Sequence, residues 1–492
     1  MSGSAREREQ LDVAVVGGVV VTGAGMRRAD VGVHSGRVAV VGDLAHTTAR
    51  RRIDATGSYV LPGAVDEHVH PVYLDDPART ARVAARGGTT TVMHFAYAKP
   101  GTRLDDAARA MIADSEQGVL DFAIHAGIFD AAVQLDDVER TAALGVRSFK
   151  MFLTYMALGW MTDDYQLLRA MERIAAVGGL AMVHAENGPA IEYLESRAQE
   201  APRDGDDVAR WLGTRPDVLE AEGVYRAIAM AEVSGCPLWI PHVTCRRALE
   251  VVRWARGRGL PVVAETCPHY LALTSAALDD RGALAKVGPP LRTDDDVEAL
   301  WEGLRDGTLS AIGSDHAPKK RADDGGAPLL EAGFGAPAAE TLMTIVHDAG
   351  VVPGRISLVE MVRAVAEHPA RIFGLYPRKG AIAPGSDADL VVWDPAREIV
   401  LDERDGRSEA GYSLYHGRRC LGAPRLVLRR GETLLSDGEE HDPATRGEHL
   451  PTGPFDLLVP AGATAGAHAL PPAPATAGRA GGGTDVGGAL AA

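Results

Sequence analysis

The chain has 492 residues, 46% hydrophobic and 24% charged, as in a globular protein with one large and one small domain. Acidic residues outnumber basic ones by 67 to 51, and the resulting net charge of −16 argues against nucleic acid or an acidic membrane surface as a partner. No stretch approaches the ~18 apolar residues of a membrane span. The first ten residues lack the apolar core of a secretion signal, and four scattered cysteines make no disulfide framework. We therefore expect a cytoplasmic protein.

Short β-rich runs punctuated by glycine occupy the first part of the chain, from Leu11 to Gly42. Runs of the same texture return near the end, at Ala388–Trp393 and Arg425–Leu428. Such runs are typical of small antiparallel sheets. The sequence therefore predicts one small β-sandwich domain that both termini build around a central domain.

The central region alternates strands with helical stretches such as Ala78–Ala85, Tyr165–Val177 and Glu220–Val233. Eight β/α repeats over roughly 260 residues predict an α/β fold, a TIM-like (β/α)8 barrel. The alternative is a doubly wound open sheet, which usually shows a Gly-rich phosphate turn that is missing here. The eight predicted strands are one around Val60, then Thr90–Phe95, Phe122–Ile128, Ser148–Leu153, Leu180–His184, Pro237–Val243, Pro261–Thr266 and Leu309–Ser314.

These patterns predict a division of the chain into segments. Residues 1–10 form a flexible N-terminus, 11–58 and 379–440 form the two parts of the small β domain, and 59–378 form the barrel. Residues 441–458 are a C-terminal extension. From residue 459 to 492 the composition falls to Ala, Gly, Pro and Thr, which cannot bury enough apolar surface to offset the entropy of ordering, so we expect a disordered tail.

The first predicted strand leads into Pro62-Gly63-Ala64-Val65-Asp66-Glu67-His68-Val69-His70. Alternation along a strand places His68 and His70 on one face, with Val69 turned away. Two imidazoles that point the same way make half of a metal site. A His-x-His pattern alone also occurs where both histidines are solvated or buried in the core. Whether these two ligate metal therefore depends on the residues at the other strand ends.

Four further strands end in residues that can ligate metal or react. In a β/α barrel the carboxyl ends of the strands meet at one mouth, where catalytic groups lie. Each residue alone has an ordinary alternative: a core histidine, a lysine that snorkels to the surface, or an aspartate that caps a turn. Together they predict a site for two divalent metals, built by His68, His70, Lys150, His184, His242 and Asp315.

Lys150 is unusual in this set, because a protonated amine beside two cations would be repelled. If the amine takes up carbon dioxide, it becomes a carbamate (N6-carboxylysine), an anion with two oxygens that can bridge two metals. A ligand set of oxygen and nitrogen favours zinc, with manganese or cobalt as alternatives.

At this point the chain resembles the cyclic amidohydrolases, which comprise dihydropyrimidinases, hydantoinases and allantoinases. The similarity spans Leu11 to Asp437, and the hydantoinase and dihydropyrimidinase branch fits best. Its segments include Leu61–His70, Gly87–Thr91, Ser148–Lys150, Val183–Asn187, Pro241–Cys245, Glu265–Leu271, Gly288–Arg292, Gly313–Pro318, His368–Leu375 and Gly385–Leu390.

The resemblance implies a binuclear hydrolase that opens a hydantoin or dihydropyrimidine ring to an N-carbamoyl amino acid. One metal would be held by His68, His70, Asp315 and carboxylated Lys150, and the other by Lys150, His184 and His242. Tyr155 and Asp315 would be catalytic, and Tyr155, Gly288 and Phe334 would contact the substrate. A homo-oligomer, dimer or tetramer, is also implied.

Some positions depart from the family pattern. The segment between His70 and Gly87 is short, His94 stands where an aspartate is common, and Gly288 stands where a serine is frequent. Three alternatives stay open: an allantoinase or other cyclic amide hydrolase, a non-catalytic scaffold, and a one-metal deaminase. A scaffold would show substituted ligands, and a deaminase would generally lack Lys150.

Overall fold

The structure, a computed structural model of the chain, describes residues 10–71, 73–200, 206–321 and 326–458. The tail predicted at 459–492 and the N-terminus before Gln10 lie outside the described residues. Within those residues the principal strands form three sheets of eight, seven and four strands. The predicted architecture of a (β/α)8 barrel with a small β domain from both termini is confirmed.

The eight-stranded sheet is parallel, and its strands lie side by side in chain order. A parallel bridge between Val69 and His316 brings the last strand back to the first, and the Ser314 amide donates to Asp66 Oδ1 at 2.9 Å across the same seam. The barrel strands, numbered one to eight below, are Ala64–Val69, Thr89–Ala98, Asp121–Ile128, Ser148–Phe152, Leu180–His184, Leu238–Ile240, Val262–Thr266 and Ala311–Ile312.

Helices separate the strands, and some of them begin at a residue whose side chain caps the first turn. Asp76 accepts a hydrogen bond from the Arg79 amide at the start of the first helix, where Pro77 is preorganised for the first turn. The helices are Pro77–Arg86, Leu104–Ser115, Ala131–Gln134, Val138–Ala143, Asp164–Ala176, Gly188–Glu200, Asp207–Leu212, Asp217–Ser234, Arg246–Gly257, Pro268–Ala272, Ala277–Arg281, Asp294–Asp306, Leu342–Val346, Leu358–Val362 and His368–Ile372. Among the described residues none of the helices is long and apolar enough to span a membrane.

The small domain is a sandwich of the other two sheets. Its core consists of alternate apolar residues of both sheets, such as Val13 and Val31 from one and Val392 and Leu428 from the other. The four-stranded sheet is ordered Arg37–Gly42, Asp30–His34, Leu11–Val16, Ala49–Asp54, and the seven-stranded sheet is ordered Glu439–Glu440, Glu432–Ser436, Arg419–Arg429, Leu390–Val400, Tyr59–Pro62, Val19–Thr22, Gly25–Arg28.

The strand expected around Val60 is wrong as the first barrel strand. Tyr59–Pro62 pairs antiparallel with Leu390–Val400 and parallel with Val19–Thr22, inside the small domain. The first barrel strand is the next segment, Ala64–Val69. The local pattern is the same for both, because a strand buried on two faces is apolar in either sheet.

The chain after the small domain crosses the floor of the barrel, at the amino ends of its strands. The Phe122 amide donates to the Glu448 carbonyl, and the Leu450 amide donates to the Phe122 carbonyl. Leu450 is buried in a cluster with Trp239 and Phe373 inside the barrel. This segment closes the end of the barrel opposite the predicted site.

A buried lysine joins the barrel floor to the small domain. Lys379 lies beside Asp121, the first residue of the third barrel strand, and its Nζ is 3.0 Å from Asp387 Oδ2 and 2.8 Å from Asp389 Oδ2. Burial lowers the pKa of this amine, but the three carboxylates outweigh burial and raise it. Lys379 is therefore a charged group held by acids from both domains.

Candidate active site

The first and last barrel strands bring His68, His70 and Asp315 together. The Nε2 atom of His70 lies 2.9 Å from Asp315 Oδ1, and that of His68 lies 3.3 Å from the same oxygen. His68 Nδ1 donates to Glu265 Oε1 at 2.7 Å, whereas its Nε2 is buried and has no hydrogen-bond partner. A carboxylate on one ring nitrogen fixes the tautomer that leaves the other free for a metal.

Lys150 lies on the fourth barrel strand with its amine in an aromatic environment. Its Nζ is 5.5 Å from the centre of the Phe95 ring and 5.4 Å from that of Phe152. Among the described residues no carboxylate lies within ion-pair distance of it. Burial lowers the pKa of Lys150 to about 8, although Asp315 and Glu265 oppose this shift from a longer distance.

The fifth and sixth strands deliver His184 and His242, whose ring centres are 4.5 Å apart. His184 Nε2 donates to Glu186 Oε2 at 2.8 Å, and Arg215 donates to the same oxygen at 3.0 Å. This leaves Nδ1 of His184 with its lone pair available. The ring of His242 also lies 5.4 Å from that of His68, so the two pairs of histidines are adjacent.

Three of the predicted site residues have left-handed backbone. The backbone φ angles of Tyr155, His242 and Asp315 are 62°, 43° and 49°, in a region that residues other than glycine seldom adopt. The described part of the chain holds only seven such non-glycine residues, and three of them fall here. Backbone strain of this kind collects at functional sites, where the surrounding structure enforces it.

The predicted substrate-contacting residues lie on the other side of the opening. The Tyr155 ring is 5.1 Å from that of His184 and 5.7 Å from that of Phe334. A side-chain carbon on Gly288 would lie 2.9 Å from Phe334 and 3.0 Å from the Tyr155 hydroxyl. Glycine at 288 is therefore what allows Phe334 to pack so close to Tyr155.

One cavity of about 390 Å³ unites these groups. Apart from His68, which lies just behind His70, every predicted site residue lines its wall. The walls also contain residues that the sequence did not single out, among them Tyr73, Tyr97, Phe152, Trp160, Arg215 and Lys286. Aromatic walls with a few polar groups are typical of a pocket for a small molecule.

Burial sets the protonation of the cluster. It lowers the pKa of His70 to about 4 and that of His242 well below its usual value, so both imidazoles are neutral. Burial opposes ionisation of Asp315, but the facing His68 and the hydrogen bond from His70 outweigh it and hold the pKa of this carboxyl well below its usual range. Burial also raises the pKa of Tyr155, which remains a phenol.

Several residues that support the cluster were missed by the sequence reasoning. Glu265 holds His68 and also accepts from Trp239 Nε1 at 3.0 Å, and Tyr97 Oη lies 2.9 Å from His70 Nδ1. Glu265 carried a signal, since it is a charged residue inside an apolar strand, but Tyr97 carried none. His94, the departure noted on strand two, is buried near Phe122 and apart from the cluster.

The donor set suits divalent metals. His68, His70 and Asp315 each offer a ligand atom, and these atoms all lie within 4.8 Å of one another. The buried Nε2 of His68 makes no hydrogen bond in the described structure, and a bound ion would satisfy it. Neutral imidazoles and an ionised carboxylate are the forms that bind metal.

Comparison with known proteins points to one family. The model of the Amidohydrolase family matches residues 59–432. A D-hydantoinase of Ralstonia pickettii is 37% identical over 461 residues, which cover 89% of this chain and 98% of that protein. The crystal structure of a dihydropyrimidinase from Brevibacillus agri superposes with a TM-score of 0.86 at 32% identity, covering 90% of this chain and 99% of that one. An L-hydantoinase (dihydropyrimidinase) from Arthrobacter aurescens gives a TM-score of 0.85 at 32% identity, covering 90% and 100%.

Proposed function

The chain belongs to the amidohydrolase family, and from this premise we propose that it hydrolyses a cyclic amide of the hydantoin or dihydropyrimidine type to an N-carbamoyl amino acid. The observation that carries the proposal is the buried His68, whose Nε2 makes no hydrogen bond and lies 3.3 Å from Asp315 Oδ1. The relatives of this chain include proteins named D-hydantoinase and L-hydantoinase, so the assay includes both enantiomers of each chiral hydantoin.

Two divalent ions are proposed as cofactors, zinc first, with manganese or cobalt as alternatives. His68, His70 and Asp315 would hold one ion, His184 and His242 the other, and Lys150 both. When bound, the ions would supply hydroxide at neutral pH and polarise the ring carbonyl.

Lys150 would take part as a carbamate. Its lowered pKa leaves part of the amine neutral near pH 7, and only the neutral amine can attack carbon dioxide. One N–C bond forms, one proton is released, and the product is an anion. That anion would remove the mismatch of a cation beside two metal ions.

Asp315 is proposed as the group that moves the proton. It would accept a proton from the attacking water and deliver it to the ring nitrogen as the C–N bond breaks, acting first as base and then as acid. Its position 2.9 Å from His70 Nε2 and 3.3 Å from His68 Nε2 keeps the carboxylate at the centre of the cluster.

Tyr155 is proposed to donate a hydrogen bond to the oxyanion that develops on the ring carbonyl. Its raised pKa keeps the proton on the phenol, as a donor requires. Gly288 and Phe334 would contact the substrate beside it, because Gly288 adjoins the Tyr155 hydroxyl and the Phe334 ring lies 5.7 Å from the Tyr155 ring.

The proposal is tested by assaying metal-loaded protein on a panel of hydantoins, dihydrouracil, allantoin, dihydroorotate and cyclic imides. We expect turnover of a hydantoin or dihydropyrimidine and about two ions per chain by elemental analysis. Preference for allantoin would favour the allantoinase alternative. No turnover on the whole panel with two bound ions would contradict the proposal and favour a scaffold.

The roles of Asp315 and Tyr155 are tested by substitution. Asp315→Asn should nearly abolish turnover while the fold survives, since an amide cannot shuttle the proton. Tyr155→Phe should lower kcat by ~10²–10³, the usual loss for one oxyanion donor. Trp160→Phe, a change on the same wall without a hydroxyl, is the control. Unchanged kcat in Tyr155→Phe would remove Tyr155 from the mechanism.

We also propose a cytoplasmic homo-oligomer, dimer or tetramer. The four cysteines are free and buried, which suits a reducing compartment. Two aromatic side chains on neighbouring helices, Tyr225 and Trp254, are 52% and 42% exposed and are available to a second copy. Light scattering on the purified protein measures the assembly, and a monomer at micromolar concentration would contradict it.

A further inference from the structure

Tyr97, at the end of the second barrel strand, contacts the presumed metal ligand His70. The phenol oxygen lies 2.9 Å from His70 Nδ1, and the opposite ring nitrogen lies 2.9 Å from Asp315 Oδ1. Both nitrogens of this imidazole are therefore partnered. His68 differs, since a carboxylate holds its Nδ1 and its Nε2 makes no hydrogen bond.

The position of Tyr97 is built into the barrel. Gly127 is the residue paired with it on the third strand, and a side-chain carbon there would lie 2.2 Å from the Tyr97 ring. The ring stacks between Phe95, at 5.7 Å and 11°, and Phe129, at 5.0 Å and 12°. Aromatic rings therefore hold the Tyr97 side chain, which lines the cavity, with its hydroxyl against His70.

A phenol differs from a carboxylate as the partner of a histidine. A carboxylate only accepts hydrogen bonds, so Glu265 fixes His68 as the tautomer with hydrogen on Nδ1. A phenol both donates and accepts. With no metal, His70 Nε2 donates to the ionised Asp315, and Nδ1 then accepts from the Tyr97 hydroxyl. When Nε2 ligates an ion, its hydrogen must move to Nδ1, and the same phenol oxygen becomes the acceptor.

We propose that Tyr97 is a positioning residue that holds His70 in both tautomers and so sets the affinity of the ion bound by His68, His70 and Asp315. The proposal rests on the proposed function only in taking His70 as a metal ligand. It predicts that the two ions depend unequally on Tyr97, because His184 of the other site is held by Glu186.

The test is Tyr97→Phe, which keeps the stacked ring and removes only the hydroxyl. Metal-free protein is titrated with zinc or cobalt against a chromophoric chelator, without any assay of turnover. We expect one ion to bind about 10–100-fold more weakly, the usual loss for a partner of a metal-bound histidine, and the other to bind as in the wild type. The visible absorption of the cobalt-loaded protein should change at one of the two sites.

Tyr270→Phe is the matched control, because this buried phenol donates to the Pro289 carbonyl at 2.7 Å. Tyr270→Phe should lower the melting temperature about as much as Tyr97→Phe does, and it should leave the affinity for both ions unchanged. If Tyr97→Phe folds poorly, 3-fluorotyrosine at position 97 is the second test, because it keeps the hydroxyl but makes it a poorer acceptor. The affinity for the same ion should then fall, by less than in Tyr97→Phe.

The outcomes separate the two proposals. If the wild type binds two ions and Tyr97→Phe binds both with unchanged affinity, the role of Tyr97 is overturned and the proposed function stands. Equal weakening of both ions overturns it as well, since a general loss of structure would do that. Wild-type protein that holds no ion overturns both.

Discussion

Lys150 and Lys379 are both buried, one near the mouth of the barrel and one at its floor, and their surroundings are opposite. Three carboxylates surround Lys379, and the pKa of its amine is raised. Lys150 faces aromatic rings instead, and burial lowers its pKa to about 8. Burial is common to both, so the difference lies in the carboxylates: among the described residues none lies within ion-pair distance of Lys150, and its pKa stays lowered.

The difference has a chemical consequence. At pH 7 roughly one Lys150 amine in ten is neutral, far more than for an ordinary lysine, whereas Lys379 is always a cation. Lys379 stabilises the junction between the two domains. Burial without an ion-pair partner makes the charged form of Lys150 unfavourable, and the proposed carbamate would remove that positive charge.

The largest expected effect follows from Lys379→Met. It leaves Asp121, Asp387 and Asp389 buried together without their cation, and breaking a buried pair in this way costs about 3–5 kcal/mol. Urea unfolding measures the free energy. Lys99→Met, a substitution of an exposed lysine, is the control and should change it little. A loss below about 1 kcal/mol for Lys379→Met would contradict the pairing.

Lys150→Ala should act on metal and activity, not on the fold. We expect loss of bound metal and a fall in activity beyond ~100-fold, the upper end for residues that only support a ligand. Metal-free Lys150→Ala should unfold at the same or a higher urea concentration than metal-free wild type. Acetate or propionate should partly restore metal and activity by replacing the carbamate, and an active variant without any additive would show that the lysine is structural.

The pH dependence of stability should have opposite signs at the two lysines. For Lys150 in metal-free, carbon-dioxide-free protein, the folded pKa of about 8 lies below the unfolded value near 10.5. Between these values the unfolded chain binds more protons, so stability rises with pH, by ~3 kcal/mol. For Lys379 the folded pKa is raised, so its contribution is present below the unfolded pKa and is lost as pH rises further.

Urea unfolding from pH 7 to 10.5 of metal-free wild type and Lys150→Met measures the first of these effects. The difference in unfolding free energy between the two proteins should shift in favour of the wild type as pH rises. A difference that stays constant would mean that the surroundings of Lys150 do not favour the neutral amine over the charged one.

The smallest expected effect concerns the C-terminal tail. Deletion of residues 459–492 should leave the melting temperature and the assembly unchanged, because their composition carries no core-forming pattern. The chain up to residue 458 includes the segment whose Leu450 is buried in the barrel floor. A lower melting temperature after this deletion would show that the tail also supports the floor.

The strand-end residues could be singled out from the sequence because their signal is local, and the structure places them around one cavity. An apolar run followed by a histidine or aspartate identifies His184, His242 and Asp315 without knowledge of any distant residue. The barrel followed from the count of strands and their spacing. The assignment of Val60 failed because its partners, such as Val392, lie over 300 residues away.

The contacts of the supporting residues could not be predicted, because they depend on which residues face each other across the sheet. Glu265 meets His68 across 197 residues, and Tyr97 meets His70 only because Gly127 leaves room for its ring on the neighbouring strand. Such contacts depend on strand register in three dimensions. A single sequence gives no measure of register between segments so far apart.

The left-handed backbone of Tyr155, His242 and Asp315 bears on how this protein evolves. Each residue costs the fold of order 1 kcal/mol or more relative to glycine at the same φ. With the roles proposed for these three positions, selection for chemistry and selection for stability oppose each other there. In a duplicated copy released from catalysis, drift toward glycine or asparagine would be rewarded there by a more stable protein. Glycine at these positions in a descendant would thus identify a copy that has abandoned catalysis while keeping its fold.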